Sequence, residues 1–261
     1  GGLYTGRDCG SQGTVIRWNY FHHFGQSGEA WQKAQGLSPD YEPLKENVMV
    51  MGVYLDDCDS GDTVCDNLFF RTGWSAFVGG GRYNTIRNNL FIECTAALHL
   101  DDRGLKRARP GEGTKDGWDL LAKLQAVGWQ EAPWRDRYPH LVNVMDDEPK
   151  LPLHNVFEKN VAIQCPRFLQ MHGTVKETAV PRLAFRDNLV FGAVHAKDAE
   201  TFPQDESGRQ RVTFMTEALP ESADPDQNGF KLQESETFRR LAPWFTRIPL
   251  ERIGRGPLPR P

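Results

Sequence analysis

Five asparagines, Asn19, Asn67, Asn89, Asn160 and Asn188, stand in one short frame that recurs along the chain. The segments read TVIRWNYFHH, DTVCDNLFFR, NTIRNNLFIE, NVFEKNVAIQ and RLAFRDNLVF. Three residues before each asparagine comes Ile16, Val64, Ile86, Phe157 or Phe185, and directly after it Tyr20, Leu68, Leu90, Val161 or Leu189. The next two positions are also apolar, with His22 the clear exception. A unit this short cannot bury its apolar face alone and must stack on its neighbours, so the frame predicts one turn of a solenoid.

The spacing from Asn67 to Asn89 is 22 residues, the bare unit, and that from Asn160 to Asn188 is 28. The longer gaps, 48 from Asn19 to Asn67 and 71 from Asn89 to Asn160, fit single turns if residues 24–47 and 104–150 are outgrowths. Val, Ile, Phe and Leu broken by Gly, Asn and Asp favour strands and turns over helices. Residues recurring once per turn would stack about 4.8 Å apart, the strand spacing of a sheet. The asparagines then serve the fold itself, since an amide at a bend tolerates a left-handed backbone and bonds to the amide of the next turn.

At 261 residues and 39% apolar content the chain can bury a core as one domain. A net charge of −4 gives no basic face for nucleic acid, and no apolar run approaches the ~20 residues of a membrane span. The opening GGLYTGRDCG is no signal peptide and reads like the middle of a turn, with YTGRD similar to FVGGGR and LDDRG. The expected partner is therefore an N-terminal portion of the same protein, or a second chain, that completes the coil. Of the five cysteines, Cys94 and Cys165 share a packing column beside Thr72 and Ala193, and Cys9, Cys58 and Cys65 have no CxxC spacing.

A second strand follows each asparagine strand: VYLDD (53–57), AFVGG (76–80), LHLDD (98–102) and LQMHG (169–173). Alternation turns Leu55, Val78, Leu100 and Met171 inward, and Tyr54, Phe77, His99, Gln170, Asp56, Gly79, Asp101 and His172 outward. Asp56 and Asp101 then lie two turns, roughly 9–10 Å, apart with Gly79 between them. Paired acids across a gap suit glycosidic bond cleavage, one protonating the leaving oxygen and the other attacking or activating water. That separation leans towards inversion. Aspartates at strand ends also accept turn amides, a role that one of each doubled pair, Asp56-Asp57 and Asp101-Asp102, should take.

Arg82 and Arg103 follow the second strand at matching places, positioned to clamp a substrate anion or to pair with the neighbouring acids. His99 and His172 are candidates to donate to sugar hydroxyls. In the insertion, Trp118, Leu121, Leu124 and Val127 follow helical spacing in DGWDLLAKLQAVGW, and Trp129, Trp134 and Tyr138 offer flat rings for sugar faces. The run DDCDSGD holds Asp56, Asp57, Asp59 and Asp62 without EF-hand spacing, so it reads as a solvated turn in which calcium is only a weak option. His23, Arg71, Glu93 and Gln164 form a polar column, read as a surface ladder. The frame ends near residue 192. Residues 193–261 are expected to form an irregular strap with a Pro-rich tail.

These coils resemble the right-handed parallel β-helix superfamily of pectate lyases and many glycoside hydrolases, over residues 1–192. VYLDDCDSGDTV, FVGGGRYNTIRNNLF and LHLDDRG more narrowly resemble the C-terminal half of bacterial β-helix proteins related to glycoside hydrolase family 141, which act on fucosides and xylan. The resemblance implies an all-β parallel β-helix with a helical insertion, catalytic aspartates two turns apart at Asp56 and Asp101, and a secreted or periplasmic setting. Substrate contacts are then expected from Tyr54, Phe77, Arg82, His99, Arg103, Trp134 and His172. Two alternatives stay open: a polysaccharide lyase or epimerase using Arg82 or Arg103 with calcium, and a non-catalytic carbohydrate-binding coil.

Overall fold

The computed structural model describes residues 1–24, 50–107, 119–192, 202, 212–215, 223–225 and 230–253. The chain visits three sheets in rotation. The first circuit is β1 (Leu3–Gly6), β2 (Val15–Arg17) and β3 (Tyr20–Phe24), and the second is β4 (Met51–Asp56), β5 (Thr63–Cys65) and β6 (Leu68–Thr72). The third is β7 (Trp74–Gly79), β8 (Thr85–Arg87) and β9 (Leu90–Ile92), and the fourth β10 (Ala96–Asp101), β11 (Val156–Glu158) and β12 (Val161–Ile163). The fifth is β13 (Arg167–His172), β14 (Ala184–Arg186) and β15 (Asn188–Phe191), after which β16 (Val212–Met215) follows. The sheets run β1-β4-β7-β10-β13, β2-β5-β8-β11-β14 and β3-β6-β9-β12-β15-β16. Strand pairing among the described residues is parallel throughout.

Stacking in register converts the frame into columns. Ile16, Val64, Ile86, Phe157 and Phe185 are all buried in the central core, and the rings of Phe21, Phe69 and Phe91 stack with centroids 4.9 Å apart at each step. Leu55, Val78 and Leu100 are fully buried on the same side, as alternation requires. Phe202 closes one end of this core against Phe168 and Phe185.

The asparagines form a directional ladder. The backbone N–H and the Nδ2 of Asn19 both donate to Asn67 Oδ1, at 3.0 and 2.9 Å. Asn67 does the same to Asn89, Asn89 to Asn160, and Asn160 to Asn188, all within 3.0–3.1 Å. The second Nδ2 hydrogen returns to the previous circuit, from Asn67 to the Ile16 carbonyl, Asn89 to Val64, Asn160 to Ile86 and Asn188 to Phe157. The left-handed residue at this bend is not the asparagine. It is the one before it, Trp18, Asp66, Asn88, Lys159 or Asp187, with φ between 51° and 61°. The ladder takes up the bend's inward polar groups and so holds side chains other than glycine in a conformation they ordinarily avoid.

A second, shorter ladder lies at the preceding corner, where Asp62 N–H donates to Asn84 Oδ1 and Asn84 N–H to Asn155 Oδ1, each at 2.9 Å. These residues stand five positions before a ladder asparagine each time, which is the sequence signal that marks them.

Three expectations change. Sheet pairing continues past residue 192, since β16 pairs in parallel with β15. The Arg71–Glu93 pair is not a surface ladder: its side chains are 13% and 10% exposed, 2.7 Å apart, with Asp224 on the other side of Arg71. The insertion helix Leu120–Val127 is capped by Asp119, and its buried residues are Leu120 and Leu124, which meet Cys9, Cys58 and Val144. Leu121 and Val127 are half-buried, and Trp118 lies outside the described residues, as does nearly all of the outgrowth at 24–47.

Residues 230–253 lie over the outer face of the third sheet. Leu232, Phe238 and Ile248 cover Leu68, Phe70, Leu90, Ile92, Val161 and Ile163. The Asn88 amide fastens this segment by exchanging two 2.8 Å hydrogen bonds with the Thr246 backbone.

Asn89→Ala should lower stability by about 2–4 kcal/mol in urea unfolding at unchanged m-value, because it leaves buried donors and a buried carbonyl unpaired. Asn19→Ala, at the partly exposed end of the ladder, should cost about 1 kcal/mol or less.

Candidate functional site

β4, β7 and β10 lie side by side in the first sheet, and their last residues form a row: Gly6 opposite Asp56, Gly79 opposite Asp101, and Asp101 opposite His172. The two aspartates therefore do flank a glycine on the outer face. The gap is not an open slot. Two residues beyond Asp101 the chain turns, the Arg103 N–H donates to Asp101 Oδ1 at 3.1 Å, and the guanidinium folds back over Gly79. A Cβ at position 79 would stand 2.9 Å from Arg103 Cζ, so the glycine provides a seat for the arginine.

Arg103 is ringed by acids. Its Nε donates to both Asp101 oxygens at 2.9 Å and one terminal nitrogen to Asp101 Oδ2 at 2.6 Å. The other terminal nitrogen contacts Asp56, Asp57 at 3.2 Å and the Tyr54 hydroxyl at 3.1 Å. Bonded to one guanidinium, the Asp56 and Asp101 carboxylates are separated by at most roughly 8 Å, a bound that admits the spacing of either retaining or inverting chemistry. Of the doubled acids, Asp102 takes the structural role by accepting the Thr174 N–H and hydroxyl. Asp57 instead binds Arg103, Arg7 and Arg107.

The outward strip beside this row is a continuous stack. Tyr4 meets Tyr54 edge-on, Tyr54 meets Phe77, and Phe77 lies flat on His99 with centroids 3.8 Å apart. Trp74 stacks on His99 and meets His172 edge-on. Phe77 and His99 point outward in the alternation yet are buried by their neighbours, which leaves Tyr4 and His172 exposed and Tyr54 and Trp74 half-exposed. Trp74 is absent from the residues that the sequence singles out, because its strand parity is that of the inward Ala76 and Val78; it is the first residue of β7, and its ring stacks on the outward His99.

Burial sets the titration of this cluster against itself. Burial alone would raise Asp101, but bonds from His99 and Arg103 and the arginine's charge outweigh it and hold the carboxyl at about 2. Asp56 moves the other way, raised by burial and by Asp57 against the pull of Tyr54 and Arg103. His99 falls to about 4 because burial disfavours its cation, despite a 3.1 Å contact from Nε2 to Asp101. Neutral His99 thus donates from Nε2 to an ionised Asp101. Tyr54 rises to about 12 through burial. Arg103 loses some basicity to burial and gains more from Asp101 and Tyr54, so it is held protonated, and a protonated guanidinium surrounded by carboxylates is a poor proton acceptor.

Two expected contacts lie elsewhere. Arg82 is buried and donates to the carbonyls of Glu148 and Leu151 while contacting Asp147, so it fastens the insertion to the sheets. Trp134 packs on Tyr138, whose hydroxyl reaches the Gln12 carbonyl, and is not among the groups around Arg103.

The DDCDSGD turn is not solvated: Asp57, Asp59 and Asp62 are each about 1% exposed. Burial and the neighbouring Asp62 push Asp59 up to about 8. Among the described residues no group of three or more His, Cys, Asp or Glu converges as a metal cluster, and no helix is long and apolar enough to cross a membrane. Compared with known proteins, the chain matches no family model, no curated protein and no solved structure.

Both depressed groups make the fold acid-labile. His99's contribution is complete above its ordinary value near 6.5 and is lost as pH falls towards 4; Asp101's is complete above about 4 and is lost towards 2. Wild-type stability should therefore fall in two steps below pH 6.5, and Asp101→Asn should flatten the lower one, worth about 2 kcal/mol, in pH-resolved denaturation. Gly79→Ala should displace Arg103 and cost about 1–3 kcal/mol.

Proposed function

We propose that this chain is a right-handed parallel β-helix that acts on carbohydrate as a glycoside hydrolase, with Asp56 and Asp101 as its working acids. The observation that carries the reading is the opposed environment of two carboxylates on one guanidinium. Asp101 is held ionised, as a nucleophile or water-activating base requires, and Asp56 is biased towards its protonated form, as a proton donor requires. Arg103 fixes both in place, and His99 orients Asp101 from behind. Sugar faces stack on Tyr4, Tyr54 and Trp74, the rings of the strip that reach solvent, with His172 at its edge.

The resemblance of VYLDDCDSGDTV, FVGGGRYNTIRNNLF and LHLDDRG to proteins related to glycoside hydrolase family 141 points to the same pair and to an exported setting. The lyase alternative has less support, because Arg103 is saturated by carboxylates and Arg82 is committed to the insertion.

A panel of neutral and uronic-acid glycans should reveal hydrolysis by the wild-type chain, with Asp56→Asn and Asp101→Asn each lowering kcat roughly a hundred- to ten-thousand-fold while the circular dichroism spectrum is kept. Unchanged turnover in either variant removes that residue from the mechanism. An ultraviolet-absorbing unsaturated product would identify a lyase instead, and sugar binding without turnover a non-catalytic coil.

A further inference from the structure

The turn between β4 and β5 carries a second acidic group that the Arg103 cluster does not use. Asp59 and Asp62 are each about 1% exposed, and the donors beside their carboxylates, the Thr5 hydroxyl at Asp59 and the Thr14 hydroxyl and N–H at Asp62, fall short of full hydrogen-bond geometry. Their backbones are fixed independently of those side chains. Asp59 N–H donates to the Asp56 carbonyl, its own carbonyl accepts from Asn84 Nδ2, and Asp62 N–H donates to Asn84 Oδ1. So held, the two carboxyl groups face each other, with the hydroxyls of Thr5 and Thr14 beside them.

Among the described residues no cation balances the pair. The next charged group acting on Asp59 is Asp8, itself an acid, whose Oδ1 caps the Gly10 and Ser11 amides. Arg7 and Arg107 bind Asp57, Arg103 is held by Asp56, Asp57 and Asp101, and Arg82 points its guanidinium at the insertion. Two ionised carboxylates buried without a counter-charge cost several kcal/mol. Nor does the fold need both to be acids. Asp62 occupies the ladder position filled by Asn84 and Asn155 on the next two circuits, where an amide oxygen performs the accepting role.

We propose that Asp59 and Asp62 bind a hard divalent cation of the calcium type at this corner, with Thr5 and Thr14 contributing hydroxyl oxygens. Two carboxylates and two hydroxyls offer six oxygens, within the range calcium takes up, and a set made only of oxygen suits a hard cation. The neighbouring thiols do not compete: Cys9 and Cys58 face the apolar cluster of Leu120, Leu124 and Val144, and burial raises both. A cation here would tie the first circuit, through Thr5 and Thr14, to the second, three residues from Asp56.

Thermal melting and equilibrium dialysis of the full chain, with calcium as the probe, test the site. Wild type should bind one calcium per chain, and its Tm should fall by about 5–10 °C on chelation from a free calcium level about a hundredfold above Kd, then recover on re-addition. Asp62→Asn keeps a ladder acceptor and should fold, bind no calcium and ignore the chelator. Absence of bound calcium in wild type overturns the proposal, as does equal binding in Asp62→Asn. A Tm that calcium leaves unchanged and that falls as pH rises from about 4 to about 8, levelling off above, assigns the pair to a shared proton instead, and overturns it too.

Discussion

The structure depends on one repeated hydrogen bond, the two-donor contact from each asparagine's backbone and side chain into the amide oxygen of the next circuit. A chain that passes in turn through three parallel sheets must bend at corners where inward-facing polar groups cannot reach water. The amide supplies an acceptor to one neighbouring circuit and a donor to the other, so satisfaction at one corner depends on correct registration of the next. Aromatic stacking of Phe21, Phe69 and Phe91 follows from that registration and adds dispersion along the same axis.

Registration is also what makes chemistry available. Asp56 and Asp101 are 45 residues apart, and only the parallel pairing of β4, β7 and β10 brings them to one arginine. Their opposed titration arises from position within the ring around Arg103. Asp101 receives bonds from His99 and three from the arginine side chain, whereas Asp56 shares its environment with Asp57. The same turn then holds Asp59 and Asp62 inside the corner, so one acidic run contributes to two places of different character: one in which arginine balances the acids, and one in which no described side chain does.

Much of the three-sheet arrangement is legible from side-chain periodicity alone. The inward columns at Ile16, Val64 and Ile86, the parity of Leu55, Val78 and Leu100, and the row of Asp56, Gly79 and Asp101 all follow from alternation within a 22-residue repeat. Periodicity fails where a long side chain chooses among partners. Arg82 and Arg103 follow the paired strand ends Gly79 and Asp101 by three and two residues, yet one clamps the insertion and the other fills the glycine gap, because the neighbour each meets comes from a different part of the chain. Burial of the acidic turn is likewise invisible in the residues, since a run of aspartates looks solvated until the first circuit, with Thr5, Thr14 and Gln12, closes over it.

The sequence by itself determined the repeat, the residues that line it and the strand faces on which acids and rings stand, because these depend on spacing along one chain and on the two-residue period of a strand. Only the tertiary structure decided which polar side chains meet, how deeply they are buried and in which direction their protons move. Those outcomes depend on distances between circuits and on the loss of water at each corner, and neither quantity is carried by any local stretch of residues.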